Sequence, residues 1–161
     1  MGPLLSLLKT TAESAHGSGW HRLHRSTGRV LLVDDVYEDA ALLAVLLGPL
    51  DATVLVARSA EEALDVVDQR LIDLVVTDLN MPDASGLDLA RELARRDNAP
   101  AVVVLTGSLS VKDEASALEL GAIAYLRKPV DVDHLIALAR EILVGRRAER
   151  TSDPGKASGA I

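Results

Sequence analysis

Five short apolar segments, separated by segments with helical spacing, make up the middle of the chain. They cover residues 30–33, 52–57, 74–77, 101–105 and 124–126. Several are continuously apolar rather than alternating, which is typical of strands in a parallel sheet with helices on both faces. The repeated strand–helix order over residues 30–144 therefore predicts an α/β fold, a doubly wound (βα)₅ three-layer sandwich around a five-stranded parallel sheet.

The segments between the strands carry recognisable helix boundaries. The first predicted helix ends at Gly48-Pro49, and the fourth ends at Gly121. Ser59 and Glu62 stand at capping-box spacing, in which each side chain accepts a hydrogen bond from the other residue's backbone N–H. The five helices are predicted to begin near Tyr37, Ser59, Gly86, Ser110 or Lys112, and Asp131.

Both ends of the chain differ from this pattern. Residues 1–28 are predicted to be a flexible N-terminal extension, residues 29–144 a single domain, and residues 145–161 a disordered C-terminal tail. Within the extension, four leucines predict a short amphipathic helix, and His16, His21 and His24 lack the acidic or cysteine partners of a metal site. A flexible basic arm is favoured, and a docking or dimer-forming arm, giving a homodimer, is the alternative.

Composition excludes several classes of function. The chain has no cysteine, which excludes disulfides, thiolate metal sites and cysteine nucleophiles. The net charge is −7, with +3 in the first 29 residues and −10 in the remainder, and so acidic a body argues against direct binding of nucleic acid. The longest apolar stretches reach about ten residues, half of what a membrane-spanning helix needs. With no secretory signal at the start, we predict a cytoplasmic protein.

Polar residues at the ends of four predicted strands carry the candidate chemistry. They are Asp34, Asp35, Asp78, Thr106 and Lys128. Parallel strands bring their carboxyl ends to one edge of a sheet, where open α/β folds bind ligands. Two ionised carboxylates 4 Å apart repel by about 4 kcal/mol at an effective dielectric constant of about 20. Unless they are protonated, these carboxylates need a cation such as Mg²⁺ or Mn²⁺. Asp78 is then placed to attack phosphorus, while Lys128 neutralises the transferred group.

Each of these residues also has an ordinary structural interpretation when taken alone. An acidic pair after a strand often faces the positive end of a helix, a Lys-Pro pair is commonly a turn, and a threonine at a strand end is usually a cap. Their conjunction, in this order on four strand ends, favours the functional interpretation.

Four motifs in that order resemble the receiver domain of bacterial two-component response regulators. They are Leu-Val-Asp-Asp at 32–35, Thr-Asp-Leu-Asn-Met-Pro-Asp-Ala-Ser-Gly at 77–86, Leu-Thr-Gly at 105–107 and Tyr-Leu-Arg-Lys-Pro at 125–129. The resemblance covers residues 29–144 and implies the flavodoxin-like receiver fold. Many members of this family continue into a second domain, whereas only about 17 residues follow the last predicted helix here, so we expect a single-domain response regulator that takes part in a phosphorelay.

The resemblance also implies a role for each matching residue. Asp78 would accept the phosphoryl group, with Asp35 and Asp78 as direct Mg²⁺ ligands. Asp34 would bind the metal through water and Asn80 through its backbone carbonyl. The phosphoryl oxygens would be contacted by Thr106, Lys128 and the backbone N–H of Gly107. The Lys128-Pro129 peptide would be cis.

A switch and its partners follow from the same resemblance. Tyr125 would turn inward as Thr106 moves onto the phosphoryl group. Its simpler interpretation is a half-buried aromatic residue of a strand. The signal would reach an unknown protein target at the face formed by the fourth helix, the fifth strand and the fifth helix, including exposed residues around Glu114 to Leu120. The phosphoryl donor would be a histidine kinase or a histidine phosphotransfer protein, and the chain would not itself be an enzyme beyond self-phosphorylation and self-dephosphorylation.

Four alternatives remain at this point. The chain could be a receiver fragment of a larger regulator or hybrid kinase, or a pseudo-receiver scaffold that works without phosphate. An aspartyl-phosphate hydrolase would require a second aspartate two residues after Asp78, where this chain has Asn80. A flavin mononucleotide protein would require a Ser/Thr/Gly-rich loop after the first strand, where the sequence is Asp-Asp-Val-Tyr-Glu.

Overall fold

The computed structural model describes residues 28–107 and 111–152, and within them the predicted parallel sheet is confirmed. The sheet has five strands in the order β2-β1-β3-β4-β5. The strands are β1 (Arg29–Val33), β2 (Thr53–Ala57), β3 (Leu74–Asp78), β4 (Ala101–Thr106) and β5 (Ala124–Arg127). All four neighbouring pairs are parallel. The strand order reverses at β1, and such a switch point is where folds of this kind bind ligands.

Five helices cover the two faces of the sheet. They are α1 (Tyr37–Leu46), α2 (Ala60–Gln69), α3 (Gly86–Ala94), α4 (Val111–Glu119) and α5 (Val132–Ser152). Helices α1 and α5 enclose one hydrophobic cluster, and α2, α3 and α4 enclose the other. The core residues are almost all Leu, Val, Ile and Ala, as a chain without phenylalanine requires. The three-layer prediction is therefore confirmed.

Local hydrogen bonds explain where two of the helices begin. Ser59 accepts a hydrogen bond from the backbone N–H of Glu62 at 3.1 Å, as predicted. The reciprocal half of the predicted box is wrong, because the Glu62 carboxylate accepts from the N–H of Arg58 at 2.7 Å instead. Asp131 caps α5 by accepting from the N–H of His134 at 3.1 Å, which confirms that start.

The prediction of a disordered tail from residue 145 is wrong for its first eight residues. Helix α5 continues to Ser152, and residues 153–161 lie outside the described part of the chain. Two arginines tie this extension to the edge of the sheet where the strands begin. Arg146 donates to the backbone carbonyl of Ala99, and Arg150 forms an ion pair with Asp73 at 2.7 Å.

Asp73, which directly precedes β3, therefore connects two elements at the edge of the sheet where the strands begin. It is only 3% exposed, and its second carboxylate oxygen accepts from the backbone N–H of Arg29 at 2.8 Å. It thus joins the start of β1 to the end of α5.

The predicted N-terminal extension, up to residue 27, lies outside the described residues. Within the described ranges, no helix combines the length and the apolar character needed to cross a bilayer.

We expect Asp73→Ala to lower the free energy of unfolding by about 2–3 kcal/mol, because it leaves a part-buried N–H and a guanidinium without their partner. Urea denaturation would measure this. The matched control is Asp68→Ala, which removes the carboxylate of the more exposed ion pair with Arg96 at 2.8 Å and should cost less than about 1 kcal/mol. If the two variants lose the same free energy of unfolding, Asp73 does not anchor the C-terminal end of α5.

Candidate functional site

Three carboxylates meet at the carboxyl ends of β1 and β3. Asp34 and Asp35 follow β1 directly and Asp78 ends β3, and the two strands pair in register through Val33 and Thr77. One oxygen from each carboxylate lies within 4.8 Å of the others. Asp34 is buried, and the other two are half-buried. The convergence predicted from the strand ends is therefore found.

Lys128 directly follows β5, the edge strand next to β4, and its side chain reaches this cluster. Its Nζ lies 3.4 Å from Asp34 Oδ2 and 3.5 Å from Asp78 Oδ2. The backbone N–H of Lys128 donates to the carbonyl of Thr106 at 2.7 Å, which fixes the chain just after β5. The Lys128-Pro129 peptide is cis, as the resemblance implied. One ammonium thus bridges two of the three carboxylates.

The electrostatics of the cluster favour a further cation. Burial, together with the nearby negative charge of Asp34, raises the pKa of Asp78 despite the opposing effect of Lys128. Burial acts to lower the pKa of Lys128, but the charges of Asp78 and Asp34 outweigh it and raise that pKa. Within the described ranges, three carboxylates therefore share one ammonium, which contacts two of them, and an all-oxygen donor set with excess negative charge fits a hard divalent ion such as Mg²⁺.

The two oxygens of Asp34 are already engaged by the protein. Oδ1 accepts from the backbone N–H of Val36 at 2.9 Å, and Oδ2 faces the ammonium of Lys128. The backbone N–H groups of Leu79 and Asn80 act on Asp78 and lower its pKa, though less than burial raises it. The carboxylates thus differ in how much of their hydrogen-bonding capacity remains for a ligand.

The loop between β3 and α3 is held by contacts that sequence reasoning did not identify. Asp83 accepts from the backbone N–H of Ala60, the first residue of α2, at 3.1 Å. Gly86 donates to the carbonyl of Leu79 at 2.8 Å. A Cβ at Gly86 would lie 2.4 Å from the backbone oxygen of Asp78. The glycine that ends the second motif was the signal for this close approach, whereas Asp83 had no signal of its own.

The other predicted site residues lie around the same edge. Thr106 ends β4, one residue beyond the pairing of Leu105 with Asp78, and is fully buried. Asn80 is exposed in the loop that follows Asp78. Gly107 is exposed as well, and no described atom lies within 4 Å of where its Cβ would be. Packing against the described residues therefore does not require glycine at 107.

Tyr125 lies on β5 and is half-buried against the cluster under α2, α3 and α4. Its hydroxyl is buried and has no hydrogen-bond partner among residues 28–107 and 111–152. Nearby, Leu118 on α4 and Ile123 before β5 are each 49% exposed. Of the residues expected on the output face, Ala115 and Glu119 are also exposed, while Glu114 and Leu120 are half-buried.

Comparison with known protein families identifies the domain. The profile described as response regulator receiver domain matches residues 30–140. Among curated relatives, the transcriptional regulatory protein CpxR of Escherichia coli (strain K12) is 41% identical over 115 residues, covering 71% of this chain and 49% of CpxR. The response regulator protein PilR of Pseudomonas aeruginosa is 33% identical over 129 residues, covering 80% of this chain and 29% of PilR. The chain thus spans about half or less of these relatives.

Solved structures give the same result. A response regulator receiver domain protein from Clostridium thermocellum has a TM-score of 0.70 at 31% identity, covering 75% of this chain and 98% of that one. The CheY-like receiver domain protein from Methanospirillum hungatei also has a TM-score of 0.70, at 26% identity, covering 76% and 98%. In sequence and in fold, the chain belongs to the receiver domain family of two-component response regulators.

Proposed function

We propose that this protein is a phosphorylation-dependent signalling switch that accepts a phosphoryl group on Asp78 from a histidine kinase or a histidine phosphotransfer protein. The observation that carries the proposal is the position of Lys128, with Nζ 3.4 Å from Asp34 and 3.5 Å from Asp78. A cation fixed beside one carboxylate of an acidic cluster is suited to anionic oxygens that arrive with the reaction.

The proposed transfer is a nucleophilic displacement at phosphorus. An Asp78 carboxylate oxygen forms the new O–P bond as the P–N bond of the donor's phosphohistidine breaks. The electron pair of that bond leaves with the imidazole, and the product is an acyl phosphate on Asp78. Lys128 then neutralises part of the charge on the transferred oxygens, while Asp34 holds the ammonium in position.

Receiver domains bind Mg²⁺ at a cluster of aspartates, and the donor set described above fits such an ion. We propose Asp35 and Asp78 as direct ligands of Mg²⁺ or Mn²⁺, with the backbone carbonyl of Asn80 as a third. Asp34 is assigned to an indirect contact through water, because both of its oxygens already have partners in the protein. When bound, the ion neutralises the carboxylates and the phosphoryl oxygens.

The proposed switch connects this site to a protein surface. Thr106 and the backbone N–H of Gly107 contact the phosphoryl oxygens, and Tyr125 responds to the movement of Thr106. Among the described residues the buried hydroxyl of Tyr125 has no hydrogen-bond partner, and a buried hydroxyl in that state costs about 1–3 kcal/mol, so Tyr125 is suited to a change of packing. Leu118 and Ile123 supply exposed apolar surface for a target protein at the α4–β5–α5 face.

The same proposal covers the protein's setting. We assign it to the cytoplasm, with partners that are proteins rather than nucleic acid or membrane, and with no enzymatic activity beyond self-phosphorylation and self-dephosphorylation. The alternative is a pseudo-receiver scaffold that binds its partners without phosphate. A fragment of a larger regulator is consistent with coverage of only 49% of CpxR and 29% of PilR.

Intact mass spectrometry of the purified chain tests the proposal. After incubation with acetyl phosphate and Mg²⁺ we expect the mass to rise by one phosphoryl group, with no rise when EDTA replaces the metal. Because a short-lived acyl phosphate escapes detection, the environment of tyrosine and tryptophan should also be measured with beryllofluoride and Mg²⁺. Failure of both measurements would support the scaffold instead.

A further inference from the structure

The loop between β3 and α3 is attached in its middle to the start of α2. Asp83 Oδ2 accepts a hydrogen bond from the backbone N–H of Ala60 at 3.1 Å, across 23 residues of sequence. The ends of the loop are fixed separately, because Leu79 donates to the carbonyl of Leu105 at 2.8 Å and Gly86 donates to that of Leu79 at 2.8 Å. Asp83 therefore makes an attachment that neither end of the loop supplies.

The start of α2 is held in place by its own contacts. Ala60 is 6% exposed and packs in the hydrophobic cluster under α2, α3 and α4. The turn that leads into α2 is closed by two hydrogen bonds. The N–H of Glu62 donates to Ser59 Oγ at 3.1 Å, and the N–H of Arg58 donates to the Glu62 carboxylate at 2.7 Å. The hydrogen bond to Asp83 therefore ties the loop to the core of the domain.

The same turn also contacts the start of α1, beside the other acidic segment. The guanidinium of Arg58 lies over the ring of Tyr37, 6.0 Å from its centroid, a distance at which a cation and an aromatic ring attract each other. Tyr37 begins α1 two residues after Asp35. The turn between β2 and α2 thus contacts both segments that carry the candidate metal ligands, and Asp83 makes its hydrogen bond to the segment after β3.

We propose that Asp83 is a positioning residue for the divalent ion and that it acts through the backbone carbonyl of Asn80. This inference rests on the proposed function, in which that carbonyl is a metal ligand. Asn80 lies between Asp78 and Asp83 in the loop. A backbone carbonyl has no side-chain rotamers with which to adjust its position, and Mg²⁺ demands near-ideal octahedral geometry. The affinity for the ion therefore depends on how narrowly the loop holds that one oxygen.

Three substitutions separate this role from two simpler ones. A carboxylate attracts a cation by its charge alone, and one at the start of a helix also stabilises the helix. Asp83→Asn removes the charge but keeps an oxygen that accepts from Ala60, whereas Asp83→Ala removes both. Ser59→Ala removes the side-chain cap of α2 and leaves Asp83 in place. The first pair isolates the hydrogen bond from the charge, and the third variant isolates it from the stability of α2.

Direct binding of Mn²⁺, measured from the electron paramagnetic resonance signal of the free ion, tests the proposal without phosphoryl transfer. The baseline is Asp35→Asn, which removes a proposed direct ligand. We expect Asp83→Ala to weaken Mn²⁺ binding by about ten-fold, as is typical when a residue that orients a metal ligand is lost. Asp83→Asn should stay within about three-fold of the wild type, because solvent and salt screen an exposed charge. Ser59→Ala should bind Mn²⁺ as the wild type does.

Equal losses of affinity in Asp83→Ala and Asp83→Asn would overturn the proposal, because the charge would then set the affinity. An equally large loss in Ser59→Ala would overturn it in favour of helix stability. Wild-type affinity in Asp83→Ala would show that the hydrogen bond does not position a ligand. If the wild type binds no more Mn²⁺ than Asp35→Asn, the metal site of the proposed function fails, and this inference fails with it.

Discussion

Asp78→Asn should abolish phosphoryl uptake from acetyl phosphate and, in metal-free buffer at neutral pH, should make the folded protein more stable than the wild type. The first effect follows because an amide cannot replace the carboxylate as nucleophile. The second follows because the pKa of Asp78 is raised, chiefly by burial and then by Asp34, so the fold disfavours its ionised form. A neutral amide of the same shape relieves that penalty, so we expect a higher free energy of unfolding even though the attraction to Lys128 is lost.

Two measurements check this pair of effects. Intact mass after incubation with acetyl phosphate and Mg²⁺ reports uptake, and urea denaturation in EDTA reports the free energy of unfolding. Asp65→Asn is the control, because it makes the same change at an exposed position of α2. It should retain uptake and alter stability by less than about 0.5 kcal/mol. Uptake by Asp78→Asn would place the acceptor elsewhere, and lower stability in EDTA would mean that the carboxylate is well accommodated without metal.

The ionised carboxylate of Asp78 is destabilised by the fold, which is typical of a residue at a functional site. The sequence alone was sufficient to predict which residues meet at this site. Asp34 and Lys128 are 94 residues apart, yet their meeting was predictable because both follow strands of one parallel sheet. Continuous apolar segments identify such strands, and the carboxyl ends of the strands must share an edge.

Contacts between loops and helix ends were not predictable in the same way. Asp83 reaches the N–H of Ala60 across 23 residues, and neither residue type nor spacing distinguishes this aspartate from one in a solvated loop. The same holds for the extension of α5. Arg146 and Arg150 are polar residues in a Gly- and Arg-rich stretch, and only the positions of Ala99 and Asp73 in the folded sheet turn them into anchors.

Gly86→Ala should both destabilise the protein and slow phosphoryl uptake. The added methyl group would lie 2.4 Å from the backbone oxygen of Asp78 and 3.2 Å from the Cα of Leu79, so the backbone that carries the proposed acceptor has to move. Overpacking of this kind costs about 1–3 kcal/mol. A shift approaching 1 Å in a reacting group lowers the rate by up to about 100-fold. Urea denaturation and the initial rate of phosphoryl uptake measure the two effects.

Gly145→Ala is the matched control, since the same methyl group is added within a helix where nothing lies within 4 Å. There the change should raise stability by about 0.5–1 kcal/mol, because alanine loses less backbone entropy than glycine on folding, and it should leave uptake unchanged. Opposite signs for one substitution at two helical glycines would separate the steric effect at Asp78 from helix propensity. A Gly86→Ala protein with wild-type stability and wild-type uptake would show that the loop yields to the methyl group, and that close packing of α3 does not position Asp78.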